Sequence, residues 1–163
     1  MRIAVLADTH APRHWKRCPR GVAKRLEGVD LILHAGDVCR AYVLDELVAF
    51  APVRAVLGNN DTADVAEWGA PETLRLDLDG LRVGVVHDAG PAAGRLRRMR
   101  RRFPAVELVV FGHSHLPLDL ADGELRIFNP GSPTDRRRRP SGTVGLLRVE
   151  AGRLLEARIE SVD

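Results

Sequence analysis

Short continuous apolar runs alternate with amphipathic segments along the first two thirds of the chain. Continuous apolar runs of this kind are typical of β-strands that are covered on both faces. Such runs lie at Arg2–Ala7, Asp30–His34, Val53–Leu57 and Glu107–Phe111. Three segments place their apolar side chains on one face and predict helices. These segments are Pro19–Glu27, Tyr42–Phe50 and Pro91–Arg102. The alternation predicts a mixed α/β fold.

A β-hairpin is predicted in the middle of the chain. Thr73–Leu78 alternates polar and apolar residues, Asp79-Gly80 is a two-residue turn signal, and Leu81–Val86 returns. Further short strands are predicted at Leu125–Phe128, Thr143–Glu150 and Arg153–Glu160.

Composition narrows the class of protein. The 163 residues suit one domain over residues 1–163, and 45% hydrophobic residues are enough for a core. The N-terminal apolar run is too short for a signal peptide and no run could span a membrane, so we expect a cytoplasmic protein. Cys18 and Cys39 have no metal-binding or redox spacing. The net charge is +3, and the arginine excess is concentrated between Arg95 and Arg139.

Five of the apolar runs end in residues that can bind metal ions. These residues are Asp8 and His10, Asp37, Asn59, His87, and His113 and His115. Binding sites in α/β sheets gather at the carboxyl ends of strands, so we expect the five strands to bring these side chains together in one sheet region. Within Gly112-His113-Ser114-His115, an extended backbone would point both imidazoles to the same side. Their separation would then suit a pair of metal ions.

The donor set is nitrogen and oxygen without thiolate, which favours Mn, Fe, Zn or Ni over Ca or Mg. Seven ligands are too many for one small ion and suit two. Asp37 follows a glycine and is the natural bridging ligand. Two ions that share a carboxylate can also share a hydroxide, which can attack phosphorus in line. The sequence therefore predicts hydrolysis of a phosphate ester.

As an ordered set, these motifs resemble the calcineurin-like metallophosphoesterases, and most of all the small YfcE-type phosphodiesterases. Asn129-Pro130-Gly131-Ser132 also resembles the turn that follows the last ligands in that group. The resemblance implies a four-layer α/β/β/α sandwich of two mixed sheets flanked by helices. It implies two divalent ions, with Mn²⁺ expected first and Ni²⁺, Fe²⁺ or Zn²⁺ as alternatives. The implied ligands are Asp8, His10, Asp37 and His115 for the first ion, and Asp37, Asn59, His87 and His113 for the second.

The sequence departs from the family pattern at two places. Asn60 and Arg40 stand where larger members have a histidine and an aspartate that act on the leaving group. Asn60 can donate a hydrogen bond but cannot act as a general acid, so esters with good leaving groups are the expected substrates. We assign Asp37 and Asn60 as catalytic residues, and Arg40 and Asn60 as substrate contacts. After His87 the chain also lacks the second histidine of the family's His-Gly-His.

The expected function is a metal-dependent phosphodiesterase acting on a small phosphodiester or nucleotide-like substrate. The alternatives are a phosphomonoesterase or nucleotide hydrolase with the same centre, or a non-catalytic scaffold such as the retromer relative of this fold. No membrane partner is expected, and the oligomeric state stays open, a homodimer or larger assembly included. The block Arg136–Arg139 is interpreted as a solvated loop rather than a nucleic-acid site, although one of its arginines, like Arg40, could contact a substrate phosphate.

Three further polar residues near the motifs are assigned smaller roles. His34 is interpreted as a structural residue and His14 as a surface residue. Asp61 either orients a ligand or the attacking water, or caps the segment that follows it.

Overall fold

The computed structural model describes residues 1–163, which form ten strands and four helices. The strands are β1 Arg2–Leu6, β2 Leu31–His34, β3 Val53–Ala55, β4 Thr73–Leu78, β5 Leu81–Val86, β6 Leu108–Val110, β7 Leu118–Asp122, β8 Leu125–Asn129, β9 Thr143–Glu150 and β10 Arg153–Ser161. The helices are α1 Arg20–Leu26, α2 Tyr42–Val48, α3 Ala63–Glu67 and α4 Arg95–Arg102.

The strands form two mixed sheets of five strands each. The first sheet has the order β10-β9-β1-β2-β3. Strands β1, β2 and β3 are parallel to one another, and β9 pairs in antiparallel fashion with both β1 and β10. The second has the order β4-β5-β6-β8-β7, in which β5, β6 and β8 are parallel and the two edge strands are antiparallel. In each sheet the carboxyl ends of the three parallel strands therefore lie at the same edge.

Alternation along the strands separates three apolar layers. Ala4 and Leu6 of β1 pack with α1, α2 and α3, whereas Ile3 and Val5 face the second sheet. On the far side of the second sheet, Met99 of α4 and Phe103 pack on Val109. The order is therefore three helices, first sheet, second sheet and one helix, which confirms the four-layer α/β/β/α fold.

Some element boundaries differ from the prediction. The chain forms α3 and the edge strand β7, neither of which was predicted. Helix α4 begins at Arg95 rather than at Pro91, because Gly94 has a left-handed φ of 70° that a helix cannot continue through. None of the four helices has the length and apolar character needed to cross a bilayer.

Candidate metal centre

The predicted ligands meet at the edge where the parallel strands of both sheets end. Asp8 and His10 follow β1, Asp37 follows β2 and Asn59 follows β3, all in the first sheet. The second sheet contributes His87 after β5, and His113 and His115 after β6. The expectation that a single sheet region gathers these side chains is therefore wrong. They converge across the seam between two stacked sheets.

The first cluster consists of Asp8, His10 and His115, each with a ligand atom within 4.8 Å of the others. His115 Nε2 lies 3.1 Å from His10 Nε2 and 3.6 Å from Asp8 Oδ1. His10 Nε2 also lies 3.6 Å from Asp37 Oδ2, which connects this cluster to the next.

The second cluster consists of Asp37, His87 and His113. His87 Nε2 lies 3.4 Å from Asp37 Oδ2, the same oxygen that faces His10. Asn59 Oδ1 lies 3.0 Å from His87 Nε2 and 3.1 Å from His113 Nδ1, so its carbonyl belongs to this cluster. Asp37 thus stands between the two groups, as a shared ligand must. All seven predicted ligands are brought together, and their function as ligands stays a prediction.

The donor atoms fit divalent cations. His115 Nδ1 donates to the Asp135 carbonyl and His87 Nδ1 donates to the Ala35 carbonyl, both at 2.8 Å. The Nε2 lone pair of each ring therefore points into its cluster, which is the usual orientation of a ligating histidine. Asp8 Oδ2 is buried without any hydrogen-bond partner. The other oxygen of this carboxylate, Oδ1, is the one that lies in the first cluster, and a cation bound there would offset the cost of burying the charge.

Electrostatics differ between the two carboxylates. Burial raises the pKa of Asp8 to about 7, although the neighbouring His87 acts to lower it. Burial acts in the same direction on Asp37, but the neighbouring His87 imidazole and the two hydrogen bonds from Asn60 outweigh it and hold the pKa of Asp37 below its usual range. Burial also lowers the pKa of His10 and His115, which keeps both imidazoles neutral. Neutral imidazoles are the form that binds metal.

The ligand loops use a backbone conformation that L-residues rarely adopt. Five of the seven predicted ligands have a left-handed φ: Asp8 at 57°, His10 at 49°, Asp37 at 55°, His113 at 68° and His115 at 57°. Each such residue stores about 1–3 kcal/mol of strain and persists only where its surroundings fix it. The extended backbone expected for 113–115 is therefore wrong. Left-handed turns direct His113 to the second cluster and His115 to the first.

Asp61 fixes the loop that contains Asp37. Its carboxylate accepts backbone N–H bonds from Cys39 at 2.5 Å, Gly58 at 2.6 Å and Asp37 at 3.2 Å. Of the two interpretations of Asp61, the structure supports the one in which it orients a ligand, since Thr62 occupies the N-cap position of α3.

Asn129 performs the same function for the histidine loop. This buried amide donates to the Gly112 carbonyl at 2.9 Å and to Ser114 Oγ at 3.1 Å, and it accepts from the Gly131 N–H at 2.9 Å. It therefore ties the turn after β8 to the segment that presents both histidines.

The two residues that we predict to contact substrate, Asn60 and Arg40, have different surroundings. Asn60 donates its backbone N–H to Asp37 Oδ1 at 2.9 Å and its side-chain amide to Asp37 Oδ2 at 2.7 Å. Arg40 is exposed, and its guanidinium makes no hydrogen bond with the ligands. Sequence reasoning did not single out Arg137, whose Nη2 lies 3.2 Å from His115 Nε2. A run of four consecutive arginines does not indicate which of them contacts the first cluster.

Two histidines remain outside the clusters. His34 is fully buried, with Nε2 3.2 Å from Thr9 Oγ1, which agrees with a structural role. His14 is exposed, with Nε2 3.9 Å from Asp135 Oδ2.

A family model and two curated proteins match most of this chain. The family model of the calcineurin-like phosphoesterase superfamily domain matches residues 1–152. A probable metallophosphoesterase from Methanothermobacter thermautotrophicus is 35% identical over 164 aligned positions, covering 98% of this chain and 91% of that protein. A second relative, a probable metallophosphoesterase from Methanocaldococcus jannaschii, is 34% identical over 82% of this chain and 69% of its own.

Solved structures share the fold at lower identity. Wild-type Vps29 from Entamoeba histolytica, complexed with zinc, superposes with a TM-score of 0.80 at 22% identity, and each chain is covered in full. A structure described as a novel archaeal phosphodiesterase superposes with a TM-score of 0.77 at 21% identity over 99% of both chains.

Proposed function

Because the chain belongs to the calcineurin-like phosphoesterase superfamily, we propose that it is a dinuclear metal-dependent phosphodiesterase. The observation that supports this proposal is the position of Asp37 Oδ2, 3.6 Å from His10 Nε2 in one cluster and 3.4 Å from His87 Nε2 in the other. Two clusters that meet at one carboxylate are the arrangement that a two-ion phosphoesterase requires. The substrate that we propose is a small phosphodiester or a nucleotide-like ester.

Each predicted ligand has an assigned ion in this proposal. Asp8, His10, Asp37 and His115 hold the first ion, and Asp37, Asn59, His87 and His113 hold the second. Donors of imidazole nitrogen and oxygen suit Mn²⁺, Fe²⁺, Ni²⁺ and Zn²⁺, and of these we propose Mn²⁺ first. When bound, such ions would supply Lewis acidity, lower the pKa of water and stabilise the negative charge that develops on the phosphoryl oxygens.

The protein's own residues orient these groups. The two hydrogen bonds from Asn60 hold both carboxylate oxygens of Asp37 in place, and Asp61 holds the backbone beneath it. The Ala35 and Asp135 carbonyls fix the tautomers of His87 and His115. Asn60 cannot protonate a leaving group as a histidine in its place would, so the leaving group must depart as a stable anion. Aryl phosphodiesters are therefore the preferred substrates in this proposal.

The experiment combines metal analysis with turnover. Protein stripped with EDTA and reloaded with Mn²⁺ is expected to hold two ions per chain and to hydrolyse bis-p-nitrophenyl phosphate faster than an alkyl phosphodiester. D37N is expected to lose ions from both sites and to lose hydrolysis, whereas H113A and H115A each lose one. D77N, in an exposed turn, is the matched control. Protein that carries metal but hydrolyses no diester, monoester or cyclic nucleotide would refute catalysis. Faster monoester turnover would instead favour a phosphomonoesterase.

A further inference from the structure

One arginine of the basic block faces the first cluster and its neighbours do not. Arg137 Nη2 lies 3.2 Å from His115 Nε2, whereas Arg136 donates to the Pro140 carbonyl within the same loop. All four arginines are exposed, but the guanidinium groups of Arg138 and Arg139 make no hydrogen bond. The four residues of the block are therefore not equivalent, although the sequence makes them look so.

The loop that holds Arg137 is fixed to the ligand segments. Ser132 Oγ donates to the Asp8 carbonyl at 2.8 Å, and Thr134 Oγ1 donates to the Thr9 carbonyl at 2.9 Å. The Asp135 carbonyl accepts the Nδ1 proton of His115 at 2.8 Å. Arg137 itself has a left-handed φ of 51°, which turns the chain toward the cluster. Its position is thus set by the same contacts that set the ligands.

The charge of Arg137 acts on the first cluster as a whole. Its guanidinium places a positive charge 3.2 Å from a nitrogen of that cluster, His115 Nε2. Arginine stays protonated in proteins and has no lone pair to offer a metal ion. Its place beside a metal-ligating nitrogen therefore requires an anion as its partner once a cation occupies the cluster.

A phosphate oxygen is the anion that suits this position. The planar guanidinium fork binds phosphate through charge-assisted hydrogen bonds, and it is preferred wherever phosphate is recognised. We propose that Arg137 is a substrate-binding residue whose guanidinium binds a non-bridging oxygen of the phosphoryl group at the first cluster. This proposal rests on the proposed function, because it assumes a phosphate-bearing substrate there.

The test measures binding of inorganic phosphate to the Mn²⁺-loaded protein by calorimetry, with metal content determined alongside. R137A is expected to bind phosphate about 10- to 100-fold more weakly than wild type at unchanged metal content. R137K keeps the charge but loses the fork, so it is expected to lie between the two. R138A is the matched control from the same loop and is expected to bind as wild type does.

A second readout separates contact from support. Free guanidinium ion is expected to restore part of the bis-p-nitrophenyl phosphate hydrolysis of R137A and to leave R138A unchanged. Wild-type phosphate affinity in R137A, or no phosphate binding by wild type, would overturn the proposal. Loss of metal in both R137A and R137K would do so as well, since it would assign a structural role. If phosphate binding depends on Arg137 but no ester is hydrolysed, the proposed function fails, and Arg137 is a phosphate-binding residue of a site without turnover.

Discussion

Replacing Asp61 tests whether the metal centre is held by its supporting residues as well as by its ligands. In D61N, one amide oxygen can still accept the Cys39 N–H, but the amide NH₂ then faces the N–H groups of Gly58 and Asp37. Two hydrogen bonds to a charged acceptor are lost, each worth about 1.5–3 kcal/mol. Since Asp61 is only partly buried, water can replace part of this loss. The two hydrogen bonds together are worth about 3–6 kcal/mol, and the expected destabilisation is therefore about 3 kcal/mol, at the low end of this range.

The assay is urea unfolding followed by circular dichroism, together with metal content after dialysis against Mn²⁺. D61N is expected to lose metal although Asp61 is not a predicted ligand, because the backbone of Asp37 is no longer fixed. D77N is the matched control, since Asp77 also accepts a backbone N–H, that of Gly80 at 2.8 Å, but in an exposed turn. If D61N unfolds within about 1 kcal/mol of wild type and retains its metal, then these three hydrogen bonds do not position Asp37.

Three more substitutions probe the same framework. In G58A the new Cβ would lie 2.2 Å from Asp37 Oδ1, so calorimetry should find Mn²⁺ binding weakened at both sites. N129A leaves the Gly131 N–H without its acceptor, whereas the Gly112 carbonyl keeps the Ser114 N–H, so we expect a loss of about 1–3 kcal/mol in urea unfolding together with weaker metal loading; unchanged loading would contradict this. Burial lowers the pKa of His34 to about 3, so the folded state requires a neutral ring, and its contribution to stability is complete above pH 6.5 and falls as the pH drops. Relative to H34Q, wild type should lose about 2 kcal/mol of unfolding free energy between pH 7 and pH 5; parallel profiles would show that His34 does not titrate in this way.

The core strands and most of the site could be predicted from the sequence because burial leaves a clear pattern. Strands such as β1 and β6 are covered on both faces, so they read as unbroken apolar runs. Their polar ends then mark the sheet edge at which ligands can meet. The elements that were not predicted lack this signal. Strand β7 lies at a sheet edge with four of its five residues exposed, and α3 has only five residues.

The details of the centre depend on backbone conformation and on contacts that are distant in sequence. Spacing shows that His113 and His115 are two residues apart, but not that both are left-handed and point to different clusters. Asp61 acts on Cys39, 22 residues away, through a hydrogen bond that no local pattern encodes. Arg137 differs from its neighbours only in where the loop turns it. These features follow from tertiary packing, which overrides local preference.

The candidate ligands lie on both sides of the seam between the two sheets, so metal binding requires the two sheets to be packed together. Each cluster takes ligands from both sheets: Asp8 and His10 meet His115, and Asp37 meets His87 and His113. A cation bound in either cluster would therefore be held by side chains from both sheets and would connect them. Neither sheet supplies a complete cluster by itself, so a cation could be held by a whole cluster only after the two sheets have docked. Ligation then favours only the docked state and opposes its separation.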